Sequence, residues 1–288
     1  MTDPENRPEL RRKQREILRF ENGDFEQSDD LLATEEPLEI RVVHGGKENR
    51  KDRSLSITMR TPGHDQDLAA GFLLGEGIIK NAGQIVEFEN TGPEDSEGES
   101  NQLCVHLAEN VAFDFGSLQR NFYMTSSCGI CGTASLEAVR ARLSAPLGND
   151  SLKVSPGVIG GLPNSLRQFQ KTFDETGGLH AAGLFDAEGN LIACREDVGR
   201  HNALDKLIGS RLLAGHLPSQ DTLVLVSGRA SFELVQKVIS AKIPLLAAVG
   251  APSSLAAELA QEFGVTLVGF TTATRFNLYT HDQRVSRD

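Results

Sequence analysis

Two cysteines with two residues between them, Cys128 and Cys131 in Thr125-Ser126-Ser127-Cys128-Gly129-Ile130-Cys131-Gly132, are the side chains best suited to covalent chemistry. They stand directly before a helix expected to begin near Thr133, which puts both sulfurs at a helix N-terminus. Free amide N–H groups and the macrodipole there favour thiolate over thiol, and thiolate is the form that attacks another sulfur. The flanking glycines leave room for a second protein's persulfide to approach. A zinc knuckle would want a second ligand pair, and His180, Cys104 and Cys194 are isolated. The spacing alone leaves disulfide redox chemistry and sulfur transfer open.

A second concentration of chemistry lies downstream. Glu196-Asp197-Val198-Gly199-Arg200-His201-Asn202 packs two acids, an arginine, a histidine and an amide into seven residues, and Thr176-Gly177-Gly178-Leu179-His180 precedes the strand that could bring it nearby. His180 and His201 suit acid–base or hydrogen-bond roles, with a satisfied half-buried ring as the plainer reading. Arg200, Arg229 and Arg275 each follow an expected strand or turn, where guanidinium forks suit phosphate oxygens. The amides of Ser227-Gly228-Arg229-Ala230-Ser231 could hold phosphate as helix starts do. Helix capping by Asp197 and a salt bridge between Lys206 and Asp205 are weighed evenly against ligand contact.

These groups need a scaffold. Residues 1–30 mix charges and scattered apolar positions, and read as a flexible tail with at most a transient helix over Glu9 to Phe20. Strands Pro37 to Val43 and Ser54 to Met59 and a helix over Asp67 to Leu74 suggest a small α+β domain spanning 31–124, with Glu89 to Gln102 as an unordered loop. Residues 125–288 form the second domain. Helical periodicity at Leu136, Val139 and Leu143, and again at Leu166, Phe169 and Phe173, precedes an expected hairpin of His180 to Phe185 with Leu191 to Cys194. Helices at 202–213, 231–241 and 253–263 then alternate with strands at 222–227, 244–249 and 265–270, so the strands are expected parallel. Loops at their carboxyl ends, Ser227-Gly228-Arg229, Gly250-Ala251-Pro252 and Gly269-Phe270 onward, should line one ligand rim.

With 288 residues, 39% hydrophobic, the chain can bury a sizeable core. A charged N-terminus, four cysteines in no disulfide pattern and no apolar run of about 20 residues point to a cytoplasmic protein without membrane association. A net charge of −11 argues against nucleic-acid binding, though a locally basic pocket can still hold one anion.

Together the runs Thr61 to Asp65, Gly71 to Gly77, Cys128 to Gly132, Thr176 to Ala182, Glu196 to Lys206, Ser227 to Lys237 and Leu267 to Tyr279 resemble the FdhD/NarQ family. The run Asp-Val-Gly-Arg-His-Asn-Ala-Leu-Asp-Lys is the most specific of them. The resemblance implies an α/β fold with a cytidine-deaminase-like C-terminal domain, a smaller α+β N-terminal domain and a homodimer. It also implies a sulfurtransferase that takes sulfane sulfur from a cysteine desulfurase as a persulfide on Cys128. Cys131 would assist, and the sulfur would pass to a molybdenum bis(molybdopterin guanine dinucleotide) cofactor before insertion into formate dehydrogenase. That cofactor is a bound substrate, with no permanent cofactor and no metal site of the protein's own. Family members hold its guanine nucleotide through the segment that here reads Phe270-Thr271-Thr272-Ala273-Thr274-Arg275. Threonines stand where the family places a further basic residue and glycine, so hydroxyls and amides must substitute. Arg229, Arg200, His201 and His180 complete the expected cofactor-binding set. Zinc deaminases pair Cys-x-x-Cys with an upstream His-x-Glu, which is absent, so base deamination is not expected. The alternatives are a cofactor-binding chaperone without sulfur chemistry and a thiol–disulfide redox protein.

Overall fold

The computed structural model describes residues 8–46, 49–94, 100–111 and 151–287, with positions 137, 140, 143, 146 and 147 between. Residues 12–33 depart from the expected tail or helix. Strand β1 (Arg12–Glu21) pairs antiparallel with β2 (Asp24–Ala33) around the Asn22-Gly23 turn. Asn22 and Gly23 both have positive φ, as a tight hairpin turn requires, and alternation of Ile17, Leu18, Arg19 and Phe20 suits a strand as well as a helix.

Strands β3 (Glu36–His44), β4 (Lys51–Arg60), β5 (Ile85–Glu94) and β6 (Ser100–Leu107) form a four-stranded sheet in the order β4-β3-β6-β5. Leu38, Ile40 and Val42 alternate inward along β3, which fixes the face turned to the core. The expected loop Glu89 to Gln102 is shorter than its polar composition suggested, because cross-strand pairs such as Glu89 with Cys104 and Thr91 with Gln102 extend β5 and β6 into it. Helix α1 (Asp65–Gly75) follows β4.

Helices α2 (Pro156–Arg167) and α3 (Lys171–Thr176) come next, then β7 (His180–Phe185) and β8 (Leu191–Asp197) as the expected antiparallel hairpin. The apolar positions Leu166, Phe169 and Phe173 thus belong to two helices, with exposed Phe169 between them. Alternation continues through α4 (Arg200–Leu213), β9 (Leu223–Val226), α5 (Phe232–Ser240), β10 (Leu245–Ala248), α6 (Ser254–Phe263) and β11 (Thr266–Thr272). A further strand, β12 (Arg275–Thr280), returns antiparallel to β11. The six-stranded sheet runs β12-β11-β10-β9-β7-β8, with β9, β10 and β11 parallel as expected. Every residue of β9 and β10 is buried, as central strands covered on both faces demand. One face packs on α1, α4, α5 and α6; the other packs on α2 through Ile159, Leu162 and Leu166.

The expected division at 124/125 lies outside the described residues. The described parts of the two halves share one core, in which Leu38, Ile40 and Leu73 cluster with Leu204, Leu207 and Val235. The crossing of α1 and α4 sets their spacing. A Cβ on Gly71 would stand 2.0 Å from the Asp205 carbonyl oxygen, and one on Gly209 would stand 1.8 Å from that of Asp67. Only glycine permits that approach.

Candidate functional site

The carboxyl ends of the parallel strands carry the expected rim. The Gly250 amide donates to the Gly228 carbonyl at 2.9 Å, and the Phe270 amide to the Gly250 carbonyl at 3.1 Å. The Ala230 amide donates to Ala251 O at 3.2 Å, closing the same edge. These bonds zip the three loops together. Of the amides that the sequence offered to phosphate, those of Ser227 and Ala230 are spent on the Ala181 and Ala251 carbonyls, so side chains must share any ligand contact at the rim.

The side chains gather around the Gly228 and Gly250 turns. His180 opens β7, and the strands are tied there because the Ala181 amide donates to Ser227 Oγ at 2.9 Å. A Cβ on Gly228 would lie 3.4 Å from His180 Nδ1 and 3.7 Å from Arg200 Cδ, so the histidine, the glycine turn and the arginine are immediate neighbours. Burial first, then the charge of Arg200, lowers the His180 pKa below the ordinary imidazole value, leaving a neutral ring beside a cation. Arg229 crosses Gly250, where a Cβ would meet its Cγ at 2.9 Å. Arg200 Nε is buried without a hydrogen-bond partner among the described residues.

Phe270 sits at the end of this edge with φ of 54° and a side chain 39% exposed. A bulky residue in the left-handed region is strained, and the β11–β12 register shifts between Gly269 and Thr272 to accommodate it. The shift turns Thr271 inward. Its hydroxyl is buried with no partner among the described residues, which a buried polar atom tolerates only at a cost. Thr272 instead closes the turn to β12, accepting from the Arg275 amide at 3.1 Å. Ala273 and Thr274 form the tip of that turn, which packs on Gly160 of α2 and leaves Arg275 exposed. Phe270 to Arg275 is therefore one continuous strand–turn unit projecting from the rim. Cys128 and Cys131 lie outside the described residues.

His201 has partners within the protein, in keeping with the plainer reading of a satisfied ring. Its Nε2 lies 3.1 Å from Ser231 Oγ and 3.8 Å from Glu233 Oε2. Ser231 is the N-cap of α5 by position, yet its hydroxyl makes no capping bond. His201, with help from Ser231, holds the Glu233 carboxyl down to about 2 against the opposing effect of burial. Both contacts fall on one ring nitrogen, so this is not the relay in which a histidine bridges hydroxyl and carboxylate through opposite nitrogens. Sequence reading singled out Ser231 for its amide and not its hydroxyl and left Glu233 without a role, although a serine followed two residues later by an acid at a helix start was a usable signal.

Behind the rim the run 196–206 is mostly architecture. Asp197 Oδ1 accepts from the Gly199 amide at 2.8 Å and from Asn202 Nδ2 at 3.1 Å, while Oδ2 accepts from the Thr61 amide at 3.1 Å. Lys206 pairs with Asp197 rather than with Asp205, because Lys206 points along α4 toward β8 whereas Asp205 faces Lys237 of α5 at 2.7 Å. Burial pulls the Lys206 ammonium below its usual pKa, opposed by Asp197, and pushes the Asp205 carboxyl up, opposed by Lys237. Glu196 accepts the Thr172 and Phe173 amides that open α3. The run thus anchors Arg200 and His201 at the rim.

The geometry describes a mixed α/β protein with a cationic, hydroxyl-bearing edge built from strand-end loops. A sequence profile described as the FdhD/NarQ family matches residues 33–286, and the chain belongs to that family. It is 50% identical over 258 residues to a protein of Mycolicibacterium paratuberculosis named sulfur carrier protein FdhD, covering 89% of this chain and 92% of the other. Proteins of the same name from Streptomyces avermitilis and Thermoplasma volcanium are 46% and 40% identical, covering 95% and 94% of this chain and 95% of each of them. The fold matches a crystal structure from Desulfotalea psychrophila, provisionally described as a formate dehydrogenase accessory protein, with a TM-score of 0.71 at 25% identity, covering 96% of this chain and 99% of that one. No helix among the described residues is long and apolar enough to cross a membrane.

Proposed function

We propose that this chain is a sulfur carrier for formate dehydrogenase maturation, acting in the cytoplasm as a homodimer. Cys128 thiolate attacks the outer sulfur of a cysteine desulfurase persulfide; that S–S bond breaks, the desulfurase cysteine leaves as thiolate, and Cys128 holds the sulfur as a persulfide. The Cys128 S–S bond then breaks, Cys128 leaves as thiolate, and the outer sulfur becomes a sulfido ligand on the bound substrate, a bis(molybdopterin guanine dinucleotide) cofactor, whose metal supplies the two electrons. Cys131 assists release. The six-stranded sheet is read as deaminase-like, a reading supported by its parallel β9 to β11 centre with helices on both faces.

The observation that carries the substrate assignment is the rim itself. In a chain of net charge −11, Arg200 stands beside neutral His180, Arg229 packs on the adjoining Gly250 turn, and Phe270 holds a strained backbone next to a Thr271 hydroxyl with no partner among the described residues. Guanidinium groups suit the diphosphate, the exposed Phe270 ring suits the base, and Thr271 and Arg275 offer further donors. His201 and its Ser231–Glu233 partners border the same edge.

Intact mass after incubation with desulfurase and cysteine tests the transfer. Wild type gains one sulfur and Cys128→Ala does not; equal gain by both, or none by either, defeats the reading. A chaperone that shields the cofactor without sulfur chemistry is favoured by the same rim, and a Cys128→Ala/Cys131→Ala variant that restores full formate dehydrogenase activity would select it. A reversible Cys128–Cys131 disulfide without persulfide would select redox chemistry.

A further inference from the structure

We infer that Glu233 is an internal anion that latches His201 while the rim is empty, and that a ligand phosphate must displace its carboxylate to reach the ring. The inference rests on the nucleotide-binding reading of the rim and adds the regulation of that same site.

His201 differs from Arg200 and Arg229. Neither guanidinium makes an ion pair among the described residues, whereas His201 Nε2 already faces a carboxylate, Glu233 Oε2, at 3.8 Å and a hydroxyl, Ser231 Oγ, at 3.1 Å. An anion arriving at the rim finds both guanidinium groups open and the ring taken. Glu233 stays ionised at neutral pH, because contact with His201, helped by Ser231 and the Glu233 amide and opposed by burial, holds its carboxyl down to about 2. Like charges repel at such range, so phosphate and carboxylate compete for the one ring nitrogen.

The contact can open. The His201 and Glu233 side chains are 37% and 39% exposed, so the carboxylate can swing into water without stranding a charge. Release also frees Ser231. That serine is the N-cap of α5 yet makes no capping bond, while Ser155 and Ser253 in the same position cap α2 and α6 by accepting from the Val158 and Ala256 amides at 3.3 and 3.2 Å. Turned away from His201, the Ser231 hydroxyl can accept from an α5 amide in the same way, which offsets part of the lost contact. The latched and open arrangements exchange one set of hydrogen bonds for another, and a ligand that prefers the open one shifts the balance toward it.

Calorimetric titration of the full chain with guanosine diphosphate and with inorganic pyrophosphate tests the latch. Glu233→Gln keeps the size of the side chain and removes its charge, and is expected to bind both probes about fivefold tighter than wild type, the scale of one part-exposed ion pair. In a His201→Ala background the same change should bring little gain, because no ring remains to be released. Thermal melts should stay close to wild type, since both side chains are part-exposed. A Glu233→Gln protein that binds no tighter than wild type, or more weakly, would overturn the latch and make the carboxylate a group that orients the ring for its ligand. Equal gain with and without His201 would also overturn it, reducing Glu233 to a repelling surface charge. Both results leave the nucleotide reading standing. Wild type that binds neither probe defeats that reading and the latch with it.

Discussion

Lys206 Nζ stands 2.7 Å from Asp197 Oδ2 with both side chains fully buried, and the same ammonium donates to the Thr61 carbonyl at 2.7 Å. One ion pair thus ties helix α4, the end of β8 and the segment after β4. Breaking such a pair from one side strands a charge in the core. Asp197→Ala is expected to cost about 3–5 kcal/mol, and Asp197→Leu with Lys206→Met to cost distinctly less, in urea unfolding.

The close crossing of α1 and α4 gives a second expectation. Gly71→Ala and Gly209→Ala each force backbone apart and should destabilise by about 1–3 kcal/mol or more. Gly161→Ala in α2 meets nothing within 4 Å among the described residues and should instead gain about 0.5–1 kcal/mol. Opposite signs for one chemical change, read in thermal melts, separate packing from helix propensity.

His64 opens α1 in a left-handed conformation, φ 60°, and burial together with the charges of Arg195, Lys206 and Arg11 lowers its pKa to about 3. Asp67 lies 3.6 Å from its Nδ1 yet does not rescue the cation, because that carboxylate already accepts from Arg195 at 2.9 and 3.1 Å. Between the ordinary value of 6.5 and about 3, the unfolded chain holds a proton that the folded chain lacks. Stability from this group is complete above 6.5 and is lost as pH falls toward 3. Asparagine tolerates the left-handed backbone, so His64→Asn should flatten that part of the profile, seen as a smaller shift in urea midpoint between about pH 7 and about pH 5.

Guanosine diphosphate titrated calorimetrically tests the rim. Arg229→Ala should weaken binding about tenfold or more, increasingly at low salt. Thr271→Val removes a hydroxyl that has no partner among the described residues, so the free protein should keep or gain stability while nucleotide affinity falls. A Thr271→Val protein that binds nucleotide unchanged would leave the hydroxyl without a ligand role.

The alternation of β9 to β11 with their helices was legible because central strands are continuously apolar and their helices carry a 3.6-residue period, as Leu204, Leu207, Ile208 and Leu212 show. The hairpin of β1 and β2 was missed although its Asn22-Gly23 turn marked it, because charged residues between its apolar ones gave it the composition of a solvated tail. β12 was missed because its residues, Thr280 apart, stay partly or fully exposed at the sheet edge.

Sequence alone determined the cysteine pair, the arginines and histidines available for an anion, and the order of elements that could carry them to one rim, since residue chemistry and local periodicity are properties of neighbours in the chain. Tertiary structure decided the partners. Asp205 turned to Lys237 and Lys206 to Asp197; Thr61 entered the network from 136 residues away, and Ser231 gave its hydroxyl to His201. Such choices follow from which helix faces meet across a glycine crossing, a distance that chain spacing does not encode.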